Sequence, residues 1–291
     1  MSEIKTIAVI GAGTMGRGIA HVAALGGYRT VLEDIVPTSL RRSEEEIRTN
    51  IDKAVQLGKV APVDASAALA RLNYVDSVEE AARQADLVIE AVPEEIESKI
   101  EIFTLLDKVC RPATILASNT SSLSVTEIAS VTYRAKQCVG MHFFNPVHKM
   151  KLLEVVCALE TDRDTLSAVS AVGERMGKEV VVIKESPGFV TSRINAMIGN
   201  EAFYMVQEGI ATPGDIDKAL KLGLNHPMGP FELVDLVGLD TRLHILEYLH
   251  KTLGEKYRPA PLLVQYVKAG RLGRKTGRGV YDYPELKTRA Q

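Results

Sequence analysis

The feature that most constrains this chain is the run Gly11-Ala12-Gly13-Thr14-Met15-Gly16, set directly behind the β-branched apolar stretch 4–10. Residues 14–26 place apolar side chains at Met15, Ile19, Val22 and Ala23 and stop at Gly26-Gly27, the pattern of a helix. A second buried strand at 30–32 closes on Glu33-Asp34, which puts an acidic residue 23 positions after Gly11. Strand, G-x-G-x-x-G turn, helix and distal acid together predict a dinucleotide-binding unit. Gly11 permits the tight turn, Gly13 lets backbone approach a pyrophosphate, and Gly16 lets the helix lie against the sheet. The helix N-terminus offers its unpaired N–H groups to the phosphates. Asp34 is expected to accept from the adenosine ribose hydroxyls and to repel a 2′-phosphate, which favours NAD over NADP. Arg29, Arg41 and Arg42 keep NADP as the lesser alternative, and the short chain disfavours FAD.

Further apolar runs at 87–91, 114–117, 138–141, 152–156 and 180–183 read as strands, with helices expected over 94–109 and 164–176. Strands of this kind alternating with helices predict a mostly parallel sheet covered on both faces. Between 38 and 82 the pattern is charged and helical, broken once at Pro62, and reads as a helical excursion from the sheet. After Glu185-Ser186-Pro187-Gly188 the period becomes helical, with Ile194, Met197, Ile198, Ala202, Met205 and Val206 at spacings of three and four. No strand is expected after that until a short one at Val280-Tyr281. The expected fold is α/β: a Rossmann-type, mostly parallel sheet with a helical excursion over residues 1–185, then a smaller all-α domain over 186–291.

Composition excludes several classes. The chain has 35 Lys and Arg against 37 Asp and Glu, so it lacks the broad positive field of a nucleic-acid binder. It has no Trp, which argues against an aromatic platform for single strands. Cys110, Cys138 and Cys157 form no C-x-x-C pair, so no zinc or other metal and no disulfide framework is expected. A reducing compartment fits those cysteines. No apolar run approaches the roughly 18 residues of a membrane helix, and the first strand begins too early to leave room for a leader. A cytoplasmic protein without membrane contact is expected.

Oxidising an alcohol by hydride transfer requires a base for the hydroxyl proton, and histidine suits that task near neutral pH. Of six histidines, His142 is the one that follows a predicted strand of the first domain at its carboxyl end, the edge where open parallel sheets bind ligands. Twelve residues later Glu154 lies inside the apolar strand 152–156, a costly place for an unpaired carboxylate. A turn near Pro146 would fold it back beside His142; spacing alone leaves two unrelated polar residues as the other reading. Ser118-Asn119-Thr120-Ser121-Ser122 follows the preceding strand at the same edge, where it can hold a substrate oxygen and a nicotinamide amide or cap the next helix.

These motifs, with Ser186-Pro187-Gly188-Phe189, Met228-Gly229-Pro230-Phe231-Glu232 and Leu272-Gly273-Arg274-Lys275-Thr276-Gly277, resemble the 3-hydroxyacyl-CoA dehydrogenases over essentially the whole chain. The single-function bacterial 3-hydroxybutyryl-CoA dehydrogenases are the most similar branch. The resemblance implies reversible, NAD-dependent oxidation of a short (3S)-hydroxyacyl-CoA to the 3-oxoacyl-CoA, in fatty acid or butanoate metabolism. It implies His142 as catalytic base, Glu154 orienting it, and Ser121 on the substrate's 3-oxygen. Gly11, Gly13, Met15, Gly16 and Asp34 would hold the dinucleotide, Glu94 and Lys99 would stand near its nicotinamide half, and Asn119 near the carboxamide. Lys53 matches a lysine near the CoA phosphates, or is an exposed helix lysine. Ser192 stands where the family pattern has an Asn that contacts substrate. The stripe from Ile194 to Val206 and the resemblance both imply a homodimer formed through the second domain. Two other readings keep the fold: a dehydrogenase of a non-CoA hydroxy acid or sugar acid, which the His142-Phe143-Phe144-Asn145-Pro146 run disfavours, and a non-catalytic NAD-binding protein, which the joint presence of Ser121, His142 and Glu154 disfavours.

Overall fold

The computed structural model describes residues 3–284. The chain divides into two compact units, Met1–Ser186 and Pro187–Gln291. The first contains strands β1 (Thr6–Ile10), β2 (Arg29–Glu33), β3 (Leu72–Val75), β4 (Leu87–Glu90), β5 (Ile115–Ser118), β6 (Cys138–Phe143), β7 (Leu152–Cys157) and β8 (Glu179–Lys184). They form one eight-stranded sheet in the order β3-β2-β1-β4-β5-β6-β7-β8. Neighbours run parallel except β6 and β7, which are antiparallel. The order reverses direction between β1 and β4, the switch point at which open α/β sheets bind ligands.

The inner strands read as unbroken apolar runs because alternate residues enter two different cores; in the edge strand β8, expected from its apolar run, Val181 and Val182 are exposed. Ile7, Val9, Leu32, Leu87, Ile89, Val139 and Met141 belong to the core beneath α1 (Thr14–Leu25) and α2 (Pro37–Gln56). Ala8, Ile10, Val88, Leu116 and Cys138 face the opposite core. Between them, α3 (Pro62–Ala70) packs on the first face, while α4 (Val78–Ala82), α5 (Ile96–Val109) and α6 (Val125–Ala129) cover the second. The last helix of the unit, α7 (Arg163–Arg175), adds Val169 and Val172 to the first core.

Four local expectations need correction. The excursion is not helical throughout: Leu72-Asn73-Tyr74-Val75 pairs with β2 as an edge strand, and its short, half-polar run carried no strand pattern. Pro62 opens α3 rather than merely breaking a helix, as the missing N–H of proline allows at a first helical position. Glu94 lies in the loop before α5, not on the helix. His142 lies inside β6 rather than after it.

The second unit contains α8 (Thr191–Gln207), α9 (Pro213–Gly223), α10 (Pro230–Val237), α11 (Leu239–Leu253) and α12 (Pro261–Lys268). They enclose Ala196, Phe203, Phe231, Leu246 and Leu249, with the Phe203 and Phe231 rings edge-on at 5.1 Å. Much of the apolar stripe on α8 is spent on this core. The expected strand at Val280-Tyr281 is absent among the described residues: the amides of Val280 and Tyr281 donate to the buried Asp235 carboxylate at 2.8 and 2.9 Å instead of to a neighbouring strand. Tyr283 donates its hydroxyl to the same carboxylate at 2.9 Å.

Asp235→Ala would strand three donors at once. The expected loss is about 2–3 kcal/mol, the scale of unsatisfied buried groups, measured by urea denaturation, with earlier proteolytic cleavage within residues 278–283 than in the parent protein.

Candidate active site

The carboxyl edge of the sheet carries the polar groups. Behind β1, Gly11 adopts φ +98°, and a Cβ there would stand 2.8 Å from the Ala91 carbonyl oxygen. At Gly16 a Cβ would lie 1.8 Å from the Gly11 carbonyl oxygen, so both positions exclude a side chain. At Gly13 a Cβ would meet nothing within 4 Å. That open space adjoins the start of α1, whose N-cap residue Gly13 supplies no side-chain cap and whose first turn holds no acidic residue. The amides of the first turn are thus available to an anion, and the cradle fits a pyrophosphate. Met15 is half-buried against the first core. Asp34, just past β2, accepts from the Ala12 amide at 2.9 Å and the Val36 amide at 2.8 Å, which fixes its carboxylate against the glycine turn.

At β4 and β5 a second cluster forms. Glu90 ends β4 fully buried, and its carboxylate meets Lys99 Nζ at 2.8 Å, the Ser118 hydroxyl at 2.6 Å and the Val92 amide at 2.8 Å. Burial pushes this carboxyl above its ordinary range, outweighing the pull of Lys99 and the hydrogen bonds. Lys99, itself buried, also reaches Glu94 at 3.3 Å. Burial would raise Glu94 too, but Lys99 and the donors from Thr120 and Ser121 prevail and hold it below its usual value. Glu94 Oε1 accepts from the Thr120 hydroxyl at 2.7 Å, the Ser121 amide at 2.7 Å and the Ser121 hydroxyl at 3.0 Å. Asn119 Oδ1 accepts from the Phe143 amide at 3.0 Å, which ties this loop to β6.

On β6 and β7 the antiparallel register sets His142 opposite Glu154. Directly opposed residues share a face of the sheet, and here His142 Nδ1 stands 2.7 Å from Glu154 Oε2. His142 is 6% exposed and Glu154 1%. The Phe144 ring packs against the imidazole at 4.3 Å. The loop joining the two strands is held from below: Lys178 Nζ donates to the Val147 and Met150 carbonyls, and the His148 ring stacks on His21 at 5.4 Å. Burial, with His148 and Lys178 nearby, lowers His21 to about 4, so this support is uncharged on the His21 side at neutral pH.

The structure therefore joins Glu94, Lys99, Asn119 and Ser121 in one hydrogen-bonded group, bonded through Asn119 to the residue after His142. Lys53 is exposed on α2, and its ammonium makes no ion pair or hydrogen bond among the described residues. Ser192 is half-buried in the first turn of α8, in the second unit. Glu90 escaped sequence reasoning, although it carried the same signal as Glu154: a carboxylate at the end of an apolar strand.

The family model described as 3-hydroxyacyl-CoA dehydrogenase, NAD binding domain, matches residues 6–186, and that of the C-terminal domain matches 188–283. The chain belongs to the 3-hydroxyacyl-CoA dehydrogenase family. It is 45% identical over 281 residues to a 3-hydroxybutyryl-CoA dehydrogenase of Bradyrhizobium diazoefficiens, covering 96% of each chain. It is 39% identical over 287 residues to the human mitochondrial hydroxyacyl-coenzyme A dehydrogenase, covering 96% of this chain and 91% of the other. The crystal structure of the (S)-3-hydroxybutyryl-CoA dehydrogenase of Ralstonia eutropha superposes with a TM-score of 0.93 at 43% identity, covering 97% of this chain and 99% of that one. As a 3-hydroxyacyl-CoA dehydrogenase the protein is an NAD-dependent enzyme, which agrees with the open glycine cradle.

Lys99→Met would leave Glu90 and Glu94 without their shared cation. The expected cost is about 3–5 kcal/mol, that of an uncompensated buried charge. Because neutral Glu90 needs no cation, the deficit relative to the parent should shrink as pH falls, read from denaturant midpoints at several pH values.

Proposed function

We propose that this protein interconverts (3S)-hydroxybutyryl-CoA and acetoacetyl-CoA, with His142 and Glu154 as its proton-transfer pair. The reading is supported above all by the 2.7 Å His142–Glu154 contact on adjacent strands. With its Nδ1 hydrogen directed to Glu154, the imidazole presents the lone pair of Nε2 to the substrate hydroxyl. His142 takes that proton during oxidation and returns it during reduction, and the Glu154 carboxylate orients the ring and stabilises the imidazolium. Ser121, positioned by Glu94, hydrogen-bonds the 3-oxygen. Bound NAD supplies hydride acceptance in oxidation and, as NADH, hydride donation in reduction. Gly11, Gly13, Met15 and Gly16 with the start of α1 hold its pyrophosphate segment, Asp34 its adenosine ribose, and Glu94, Lys99 and Asn119 its nicotinamide half. Ser192 contacts the acyl-CoA with a shorter reach than an Asn, and Lys53 offers its exposed ammonium to the CoA phosphates. The three cysteines are free thiols, which supports a reducing, cytoplasmic setting.

The test is NADH consumption with acetoacetyl-CoA, followed by its absorbance. The parent enzyme should turn over, and His142→Gln should lose about a hundredfold or more in kcat, the scale of general acid–base catalysis, with little change in NAD affinity. Oxidation should climb with pH and reduction fall, since the first needs neutral and the second protonated imidazole. Glu154→Gln should slow both directions. Activity on a free hydroxy acid but not on the CoA thioester would sink the substrate assignment.

The enzyme is further proposed to work as a homodimer joined through its second unit. There Val190 and Ile194 are 52% and 58% exposed, and Leu236 and Val237 are 49% and 40% exposed. Exposed apolar groups on so small a unit favour a covered interface. Light scattering should give twice the chain mass at micromolar concentration, and Ile194→Asp should shift it toward the monomer; a parent protein already monomeric there would overturn the proposal.

A further inference from the structure

We propose that Glu33 is a second specificity-determining carboxylate at the adenosine end of the dinucleotide site, adding its charge to that of Asp34 in rejecting a 2′-phosphate. This rests on the placement of the adenosine ribose beside Asp34. Glu33 is the last residue of β2, directly before Asp34, and its carbonyl accepts from the Gly11 amide at 2.9 Å. Its register partners are Ile10, which ends β1 before the glycine turn, and Val75, which ends β3. A parallel sheet ordinarily puts an apolar side chain at such a position. Here a carboxyl stands there, 2% exposed, and its Oε1 has no hydrogen-bond partner among the described residues.

No cation offsets it. Neither Glu33 nor Asp34 forms an ion pair among the described residues; Arg17 of α1 and Arg42 of α2 bind Glu46 at 2.8 Å, and Arg41 of α2, which lines a surface pocket with Val75 and Asp76, pairs with neither carboxylate. The charged groups that act on the Glu33 carboxyl are Asp34 and Asp76, both of its own sign. Burial first, then Asp34 and Asp76, raise its pKa to about 7, and the Gly11 amide moderates the rise. Glu33 is therefore neutral in mild acid and anionic above neutrality. When anionic, in a poorly solvated position beside a second carboxylate, it repels a dianionic phosphate over a short distance. The 2′-hydroxyl of NAD carries no charge and is spared.

The experiment is calorimetric binding of NAD and NADP, without acyl substrate, to the parent enzyme, Glu33→Gln, Glu33→Leu and Asp34→Ser, at pH 5.5 and 8.5. The 2′-phosphate keeps at least one negative charge at both pH values, so an anionic Glu33 would still weaken NADP binding at pH 5.5. At pH 8.5 both Glu33 variants should bind NADP roughly tenfold more tightly than the parent, the scale of one partly buried charge contact, with NAD affinity changed much less. At pH 5.5 the advantage should vanish, because the parent carboxyl is then protonated. Unchanged NADP binding in both Glu33 variants, with Asp34→Ser still relaxing the discrimination, would overturn the role of Glu33 alone. A gain equal at both pH values would also overturn it, since a shape change and not a charge would then be responsible. If neither Glu33 nor Asp34 substitutions alter the NADP to NAD ratio, the adenosine is not beside Asp34 and both assignments fall.

Discussion

A sheet covered on both faces has few places where polar side chains can meet water, and the carboxyl edge is the main one. Gly11 after β1, Asp34 after β2, Glu90 at the end of β4 and Ser118 at the end of β5 all stand on that edge. β6 would ordinarily leave through a crossover helix. Instead the chain turns at once into antiparallel β7, and Glu154 returns to the level of His142. That junction sets the geometry of the proposed proton-transfer pair. A register slip of one residue would send His142 and Glu154 to opposite faces, and the burial of Met141, Phe143, Leu153 and Val155 on either side of them holds the register.

Three buried carboxylates within the first unit show how different partners settle the same electrostatic problem. Glu154 has a histidine, so its charge is met by an imidazole whose own proton number can change. Glu90 has the Lys99 side chain as its partner, and that amine is shared with Glu94, which in turn fixes Thr120 and Ser121. Glu33 has no ion pair among the described residues, and the charges that act on it are the like charges of Asp34 and Asp76. Desolvation acts on all three alike, so the partner decides the outcome. The first arrangement suits proton transfer, the second rigid positioning, and the third a charge that depends on pH.

The strands that were legible in the sequence are those with long apolar runs, such as 6–10 and 87–90, because burial on both faces erases any polar alternation. β3 escaped for the opposite reason: as an edge strand it leaves Asn73 exposed, and that polar residue interrupts a run no longer than that of β4. The glycine positions were legible because backbone contact at Gly11 and Gly16 leaves no room for any other residue. His142 and Glu154 were legible as chemistry, but their contact depends on a cross-strand register that spacing of twelve residues cannot fix. Val280-Tyr281 looked like a strand since its apolar pair is β-prone, yet its amides are claimed by Asp235, 45 and 46 residues away in sequence. A side-chain acceptor that distant leaves no local trace. Glu33 and Glu90 were overlooked because each was read as the end of an apolar run rather than as a buried charge in need of a partner.

The hydrogen bonds of Asn119 give the separate parts a common frame. Its amide donates to the Glu90 carbonyl at 2.8 Å, and its side-chain oxygen accepts from the Phe143 amide at 3.0 Å. One residue thus spans β4, β5 and β6, with Lys99 and Glu94 attached on one side and the strand carrying His142 on the other. Hydride and proton must leave neighbouring atoms of one carbinol in the proposed reaction, so errors of an ångström between the two acceptors would be costly. Regular strands supply that precision better than loops, and β4, β5 and β6 each have a paired strand on both sides. The loop residues 119–122 are the exception, and they are where the density of side-chain hydrogen bonds is concentrated: Glu94 and Thr120 supply to that loop the order that a sheet ladder supplies elsewhere.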